Sequence, residues 1–362
     1  MGKGIVLGGR EENLPTTYRN RRAASVENDH IRVTVTQEGG HVAEILDKQS
    51  GVNPLWTPPW PSIEPSTFSK TKNPEYGDDP ENQLLSGIMG HNLCLDIFGG
   101  PSPDEFAAGI GVHGEGSVAP YQISEPAGAL VMRATLPIAQ IRFERRIELH
   151  GSNVRFLEKI ESLASFDRPI GWTQHVTLGP PFLARGTTEF RASATHSKVF
   201  EGDFGTAAYL QAGSEFEWPN GPGKNGGSCD LRVYNSSSVS GAFTTHLMSP
   251  DREHAYFTAF SPSLKVAIGY VWKQKDFPWL GIWEENCSRG IPPWNGKTIT
   301  RGMEFGVSPF PETRRQMIER GSLFGVPGYR WLPAKGRLEA EYWASVRAEN
   351  SVPESMAWPL VK

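Results

Sequence analysis

The sequence predicts an all-β protein, and three observations carry that prediction. Glycine (39) and proline (29) punctuate the whole 362-residue chain, which keeps regular elements short. Eleven tryptophans and 18 phenylalanines supply large apolar faces, while long runs of helix formers are scarce. Short segments of alternating apolar and polar residues recur along the chain, with the period of a half-buried strand.

The elements follow in chain order. Ile31-Arg-Val-Thr-Val-Thr36 alternates, and a second strand begins at His41; the Glu38-Gly39-Gly40 break between them reads as a hairpin turn. Asp47 to Gly51 is another turn. From Asn53 to Asp104 the chain is rich in Pro, Trp and Gly with little periodicity, which predicts a long loop that covers or lines a site. Strand signals resume over 129–136, 141–149 and 154–163. In the second of these Ile141, Phe143, Arg145, Ile147 and Leu149 share one face. Arg145 therefore needs buried carboxylate or carbonyl partners, as a structural ion pair or as a substrate contact. Further strands are predicted over 255–260, 265–272, 279–285, 298–307 and 336–346. The segment 311–321 has helical composition and ends at Gly321. No short repeat marks a propeller or solenoid, and no linker divides the chain. One domain over 24–350 is expected, after an N-terminal extension (1–23) and before a C-terminal tail (351–362).

Composition excludes several functions. The formal charge is -4 and the Lys and Arg residues are scattered, so neither a nucleic-acid footprint nor a basic membrane-binding face is expected. Cys94, Cys229 and Cys287 are widely spaced and make neither a disulfide framework nor a zinc set. His91, Asp96, His113 and His175 are too dispersed to demand a metal. No apolar run is long enough for a signal h-region or a bilayer span, so a soluble cytoplasmic protein is expected.

The residues with chemistry lie on a few segments. Pro169 to Pro181 is a strand closed by prolines, with Ile170, Trp172, Gln174, Val176 and Leu178 on its core face. Gly171, Thr173, His175 and Thr177 form its polar face. In the strand at 298–307, Glu304 shares a face with Thr298, Thr300, Gly302 and Gly306. Two such strands side by side make a shallow polar floor with an imidazole and a carboxylate, the groups of acid/base catalysis. His113 and Glu115 sit in the glycine-rich Gly109 to Ser117 turn, which lacks the phosphate-binding spacings. Trp56, Trp60, Trp279, Trp283 and Trp294 lie in loops or near strand ends, where a ring can cover a sugar face. Glu284 and Glu285 are reserve acids.

The order of these motifs resembles the galactose mutarotase-like superfamily, the aldose 1-epimerases and their β-supersandwich relatives. Gly39-Gly-His-Val-Ala-Glu-Ile-Leu-Asp-Lys-Gln-Ser-Gly51 with Leu55-Trp56 is similar to the family's opening hairpin. Val112-His-Gly114 resembles its first histidine motif, Gln174-His175 its second, and Gly302-Met-Glu304 with Pro309-Phe-Pro311 its glutamate strand. The resemblance runs from about Ala24 to Val346. It implies a β-supersandwich with few short helices, a small carbohydrate as partner and no cofactor. It makes His175 the acid that protonates the ring oxygen, Glu304 the base on the anomeric hydroxyl, and His113 a positioning residue. Where the epimerases carry an arginine motif, this chain reads Gly90-His-Asn-Leu-Cys-Leu-Asp96, so His91 or Arg145 could stand in. The candidate substrate contacts are His113, His91, Arg145, Glu115, Trp172, Gln174, Trp283 and Glu285. Two alternatives stay open: an epimerase or lyase acting on a uronic acid or modified glycoside, and a non-catalytic sugar-binding protein.

Overall fold

A computed structural model describes residues 16–202 and 204–360. Its strands form two large antiparallel sheets. The larger has twelve strands, and its middle runs His91–Asp96, Arg168–Leu178, Ile299–Gly306, Trp279–Asn286, Ser240–Met248. The second, eight-stranded sheet contains His254–Ser261, Val266–Lys273, Arg337–Ala348, Asn153–Ser162, Ile141–His150 and Leu130–Leu136. Inward side chains of the two sheets form one apolar core, in which Leu93, Trp172, Val176, Met303 and Phe305 meet Phe143, Phe156, Tyr270, Trp272 and Tyr342. This is the two-layer solution for strands that are apolar on one face.

Most predicted strands form, and the hairpin at Glu38–Gly40 closes with Gly39 and Gly40 at φ 78° and 58°. Helix Arg314–Arg320 starts after Thr313, whose side chain accepts from Gln316 N, and ends at Gly321 with φ 67°. The stretch 53–104 departs from expectation, because it contains the strand His91–Asp96, paired with Arg168–Leu178 in the large sheet. Ser240–Met248 is a second strand without a sequence signal. Both are buried along their whole length, so neither shows the polar alternation that marks a half-exposed strand. Strands Thr16–Tyr18 and Arg21–Glu27 lie on the large sheet, so the sheet starts ahead of residue 24. Residues 1–15 of the expected extension lie outside the described residues. Beyond residue 350, Trp358 stacks on His254 with ring centroids 4.6 Å apart. Among the described residues no helix is long and apolar enough to cross a membrane.

A polar cluster is sealed between the sheets under the His175 strand. Arg145 Nε donates to Glu158 Oε1 at 2.7 Å, and Arg145 Nη2 to Gln174 Oε1 at 3.0 Å. Glu158 also accepts from Trp172 Nε1 at 3.0 Å, Gln174 Nε2 at 2.7 Å and Tyr342 hydroxyl at 2.8 Å. His91 Nε2 lies 3.0 Å from Gln174 Oε1. Arg145 and Glu158 are both buried, so removing one partner strands the other charge in a medium of low dielectric. Glu158→Leu is expected to lower the free energy of unfolding by about 3–5 kcal/mol, read from denaturant titration. A loss under about 1 kcal/mol would show that the cluster does not hold the sheets together.

Candidate active site

The opposite face of the same strands carries the predicted acid/base pair. Cross-strand partners run in a row, Asn92 to His175 to Glu304 to Gly281 to Thr245, over five neighbouring strands. Neighbouring strands lie about 4.8 Å apart, so His175 and Glu304 are forced together by register alone. Glycines make room around them. A Cβ on Gly302 would lie 2.2 Å from Glu304 Oε1, and one on Gly281 would lie 2.6 Å from Phe243 Cζ. The carboxyl thus leans over Gly302, and the Phe243 ring lies over Gly281.

His175 Nε2 lies 3.0 Å from Glu304 Oε1, while His175 Nδ1 meets Thr177 Oγ1 at 3.0 Å and so fixes the ring. The pair touches without aligning as a hydrogen bond, and Glu304 Oε1 has no hydrogen-bond partner. Burial pushes the His175 imidazole well below its ordinary value, and neighbouring His113 adds to that shift. Burial alone pushes the Glu304 carboxyl well above its ordinary value. The two shifts point the same way: burial favours neutral imidazole and neutral carboxylic acid over the ion pair.

His113 reaches the pair from its glycine-rich turn. Its backbone is left-handed, φ 66°, and Gly114 follows at φ 76°, where a Cβ would strike Leu95 O at 2.3 Å. Only glycine fits there. The His113 Nδ1–H donates to Phe98 O at 2.5 Å, which leaves Nε2 as the free nitrogen. Its ring centroid is 5.0 Å from that of His175. Burial lowers its pKa to about 4, against the pull of the Phe98 carbonyl and with some help from Arg289.

Tryptophans wall the cleft. The Trp283 ring lies 6.0 Å from His175 and 5.9 Å from Trp294. The Arg289 guanidinium covers both rings, at 5.5 and 4.8 Å from their centroids. Glu285 sets that loop by accepting from Ser288 N at 2.6 Å and Arg289 N at 3.1 Å, and Glu81 takes Arg289 Nη1 at 3.0 Å. From the 53–104 stretch, Trp56 stacks on Trp294 at 6.0 Å, and Trp60 packs edge-on to both.

The structure therefore brings His175, Glu304, His113 and Trp283 together, with Glu285 supporting the wall. It does not bring the other candidates there. His91, Arg145, Trp172 and Gln174 face the polar cluster between the sheets, because strand parity sends them to the core side. Glu115 accepts from Ala139 N at 2.7 Å and Ile138 N at 3.3 Å, pinning a turn away from the pair. Asn92 and Arg289 lie at or beside the cleft and escaped sequence reasoning. Asn92 shows its face only once the pairing of His91–Asp96 with the His175 strand is known. Among the described residues no three His, Cys, Asp or Glu side chains are grouped as metal ligands.

Two large antiparallel sheets packed on one apolar core give the chain the galactose mutarotase-like β-supersandwich fold. The chain is similar to a protein of Klebsiella pneumoniae provisionally named aldose 1-epimerase, with TM-score 0.66, 12% identity, and 96% of this chain and 83% of that chain covered. It is also similar to a galactose mutarotase-like protein of Clostridium acetobutylicum, with TM-score 0.58, 12% identity, and 92% and 97% covered. A galactose mutarotase related enzyme of Lactobacillus acidophilus gives TM-score 0.56 and 12% identity, with 91% and 99% covered. No protein-family model and no curated protein matches the sequence.

The depressed histidines give a signed pH dependence. His113 folds with a pKa of about 4 against an ordinary 6.5, so its contribution to stability is complete above pH 6.5 and is lost as pH falls toward 4. Each such histidine adds about 1.4 kcal/mol per pH unit to the slope within its window. His113→Asn is expected to reduce the acid-side slope of unfolding free energy by about one proton's worth, measured by denaturant titration from pH 7 to 4. An unchanged slope would mean that His113 titrates normally.

Proposed function

We propose that the protein interconverts the anomers of an aldose by ring opening, with His175 and Glu304 as acid and base. The observation that carries this reading is the contact of His175 Nε2 with Glu304 Oε1 at 3.0 Å on a buried floor. The anomeric carbon bears both the ring oxygen and the hydroxyl oxygen, so the groups that serve them must stand side by side, as these do. The resting pair holds one proton. Moving it from the carboxyl to the imidazole arms the pair as an acid beside a base. His175 Nε2–H then gives its proton to the ring oxygen while Glu304 takes the proton of the anomeric hydroxyl, and the C1–O5 bond breaks to leave the aldehyde. Rotation about C1–C2 and the reverse transfers close the other anomer. Protons balance, and each transfer partner contributes about 10²–10⁴-fold. His113 offers its free Nε2 to a substrate hydroxyl, and Trp283 covers an apolar sugar face. The similarity to solved structures named as mutarotase relatives supports the same reading.

Anomer exchange of freshly dissolved glucose and galactose, followed by polarimetry, should be accelerated by the protein. His175→Ala and Glu304→Gln should each lower the rate at least about 100-fold. No acceleration over a broad panel of aldoses would refute the reading. Solvent deuterium at a ring carbon would replace it with an epimerase or lyase that moves a carbon-bound proton.

The pH profile should be broad. The acid limb requires a second proton on the pair and so falls below pH 6.5, because His175 is depressed. The alkaline limb requires loss of the last proton and lies well above 4.5, because Glu304 is raised. A rate that rises steeply through pH 6.5 would contradict these directions.

A further inference from the structure

Three buried polar atoms around His175 form no hydrogen bond in the protein: Asn92 Nδ2, Thr173 Oγ1 and Glu304 Oε1, the last touching His175 Nε2 at 3.0 Å without alignment. Asn92 stands beside His175 across one ladder, Glu304 across the other, and Thr173 one pleat along the same strand. Asn92 and Thr173 are each 0% exposed. The other end of the Asn92 amide meets only Cys94 Sγ, at 3.8 Å. A buried polar group left unpaired costs about 1–3 kcal/mol, so three around one imidazole need an explanation. The core-facing residues of these strands already anchor them to the second sheet, His91 through the Tyr270 hydroxyl and Trp172 and Gln174 through Glu158. Strand pairing does not need an amide at 92 or a hydroxyl at 173.

We propose that Asn92 and Thr173 are substrate-binding residues that hydrogen-bond uncharged hydroxyl groups of the sugar, beside the carbon handled by His175 and Glu304. This rests on the aldose reading of the site and narrows it to an uncharged pyranose. An amide and a hydroxyl carry no charge to match a carboxylate or phosphate. The nearby cations are engaged, Arg289 by Glu81 at 3.0 Å and Lys198 by Glu201 at 3.5 Å. An anionic group would also face Glu304 whenever that carboxyl is ionised.

The test uses Asn92→Leu and Thr173→Val, with KM, kcat and its pH profile measured for anomer exchange of glucose and galactose, and melting temperature alongside. Neither side chain makes a well-formed hydrogen bond in the protein, so both variants should keep or raise the melting temperature. KM should rise about tenfold, while kcat and its pH profile stay within about threefold. One monodeoxy analogue should bind more weakly to the wild type and show no further loss with the variant, as for any pair that interacts. Unchanged KM in both variants of a protein whose wild type interconverts anomers overturns this inference and leaves the function standing. A lowered melting temperature with unchanged KM assigns both residues to the fold and overturns it equally. Tighter binding of glucuronate than of glucose overturns the uncharged class. A wild type that interconverts no aldose removes the proposed function, and this inference with it.

Discussion

Because side chains alternate along a strand, the register that seats Trp172 and Gln174 on Glu158 also turns Thr173, His175 and Thr177 to the cleft. A slip by one residue would exchange the two sets, burying His175 between the sheets and exposing the partners of a buried ion pair. The polar cluster between the sheets therefore does more than join them. It makes one register far cheaper than its neighbours, and the neighbouring ladders then deliver Asn92 and Glu304 to either side of His175. A buried pair such as Arg145–Glu158 is costly to desolvate, and its largest effect is the penalty that falls on any register leaving one partner alone.

The cleft side works by the opposite means. Where the core cluster pairs its buried charges, the floor leaves polar groups short of partners, and burial disfavours the charged forms of both His175 and Glu304. Low dielectric makes such a pair sensitive to small changes in its surroundings. The tryptophan wall around Arg289 limits water at one side of the floor, and Glu285 contributes by shaping that loop rather than by touching the pair. Glycines 281 and 302 contribute by absence, since a methyl group at either would strike Phe243 or the Glu304 carboxyl.

Much of this was legible in the sequence. Alternation around His175 and Glu304 gave their faces, and the resemblance gave the fold and the residues to watch. Arg145 on an apolar face pointed to a buried partner, and Glu158 supplies it. Arg145, on the second sheet, and His91, Trp172 and Gln174, by strand parity, lie between the sheets rather than beside the His175–Glu304 pair. The strand His91–Asp96 was invisible for a related reason: it is buried on both faces, and its polar residues His91, Asn92 and Asp96 fall on both of them, so polar and apolar residues do not alternate. That concealment hid Asn92. Arg289 was hidden differently, because a guanidinium placed over two rings by a tight loop leaves no periodic signal.

In the proposed reaction one carbon of a sugar is served by His175 and Glu304 together, on the face opposite the polar cluster. A crystal structure with a bound aldose tests it most directly. The anomeric carbon should lie over the pair, with its ring oxygen at His175 Nε2 and its hydroxyl at the Glu304 carboxylate. A pyranose seated elsewhere, with the His175–Glu304 contact intact beneath an empty floor, would contradict it.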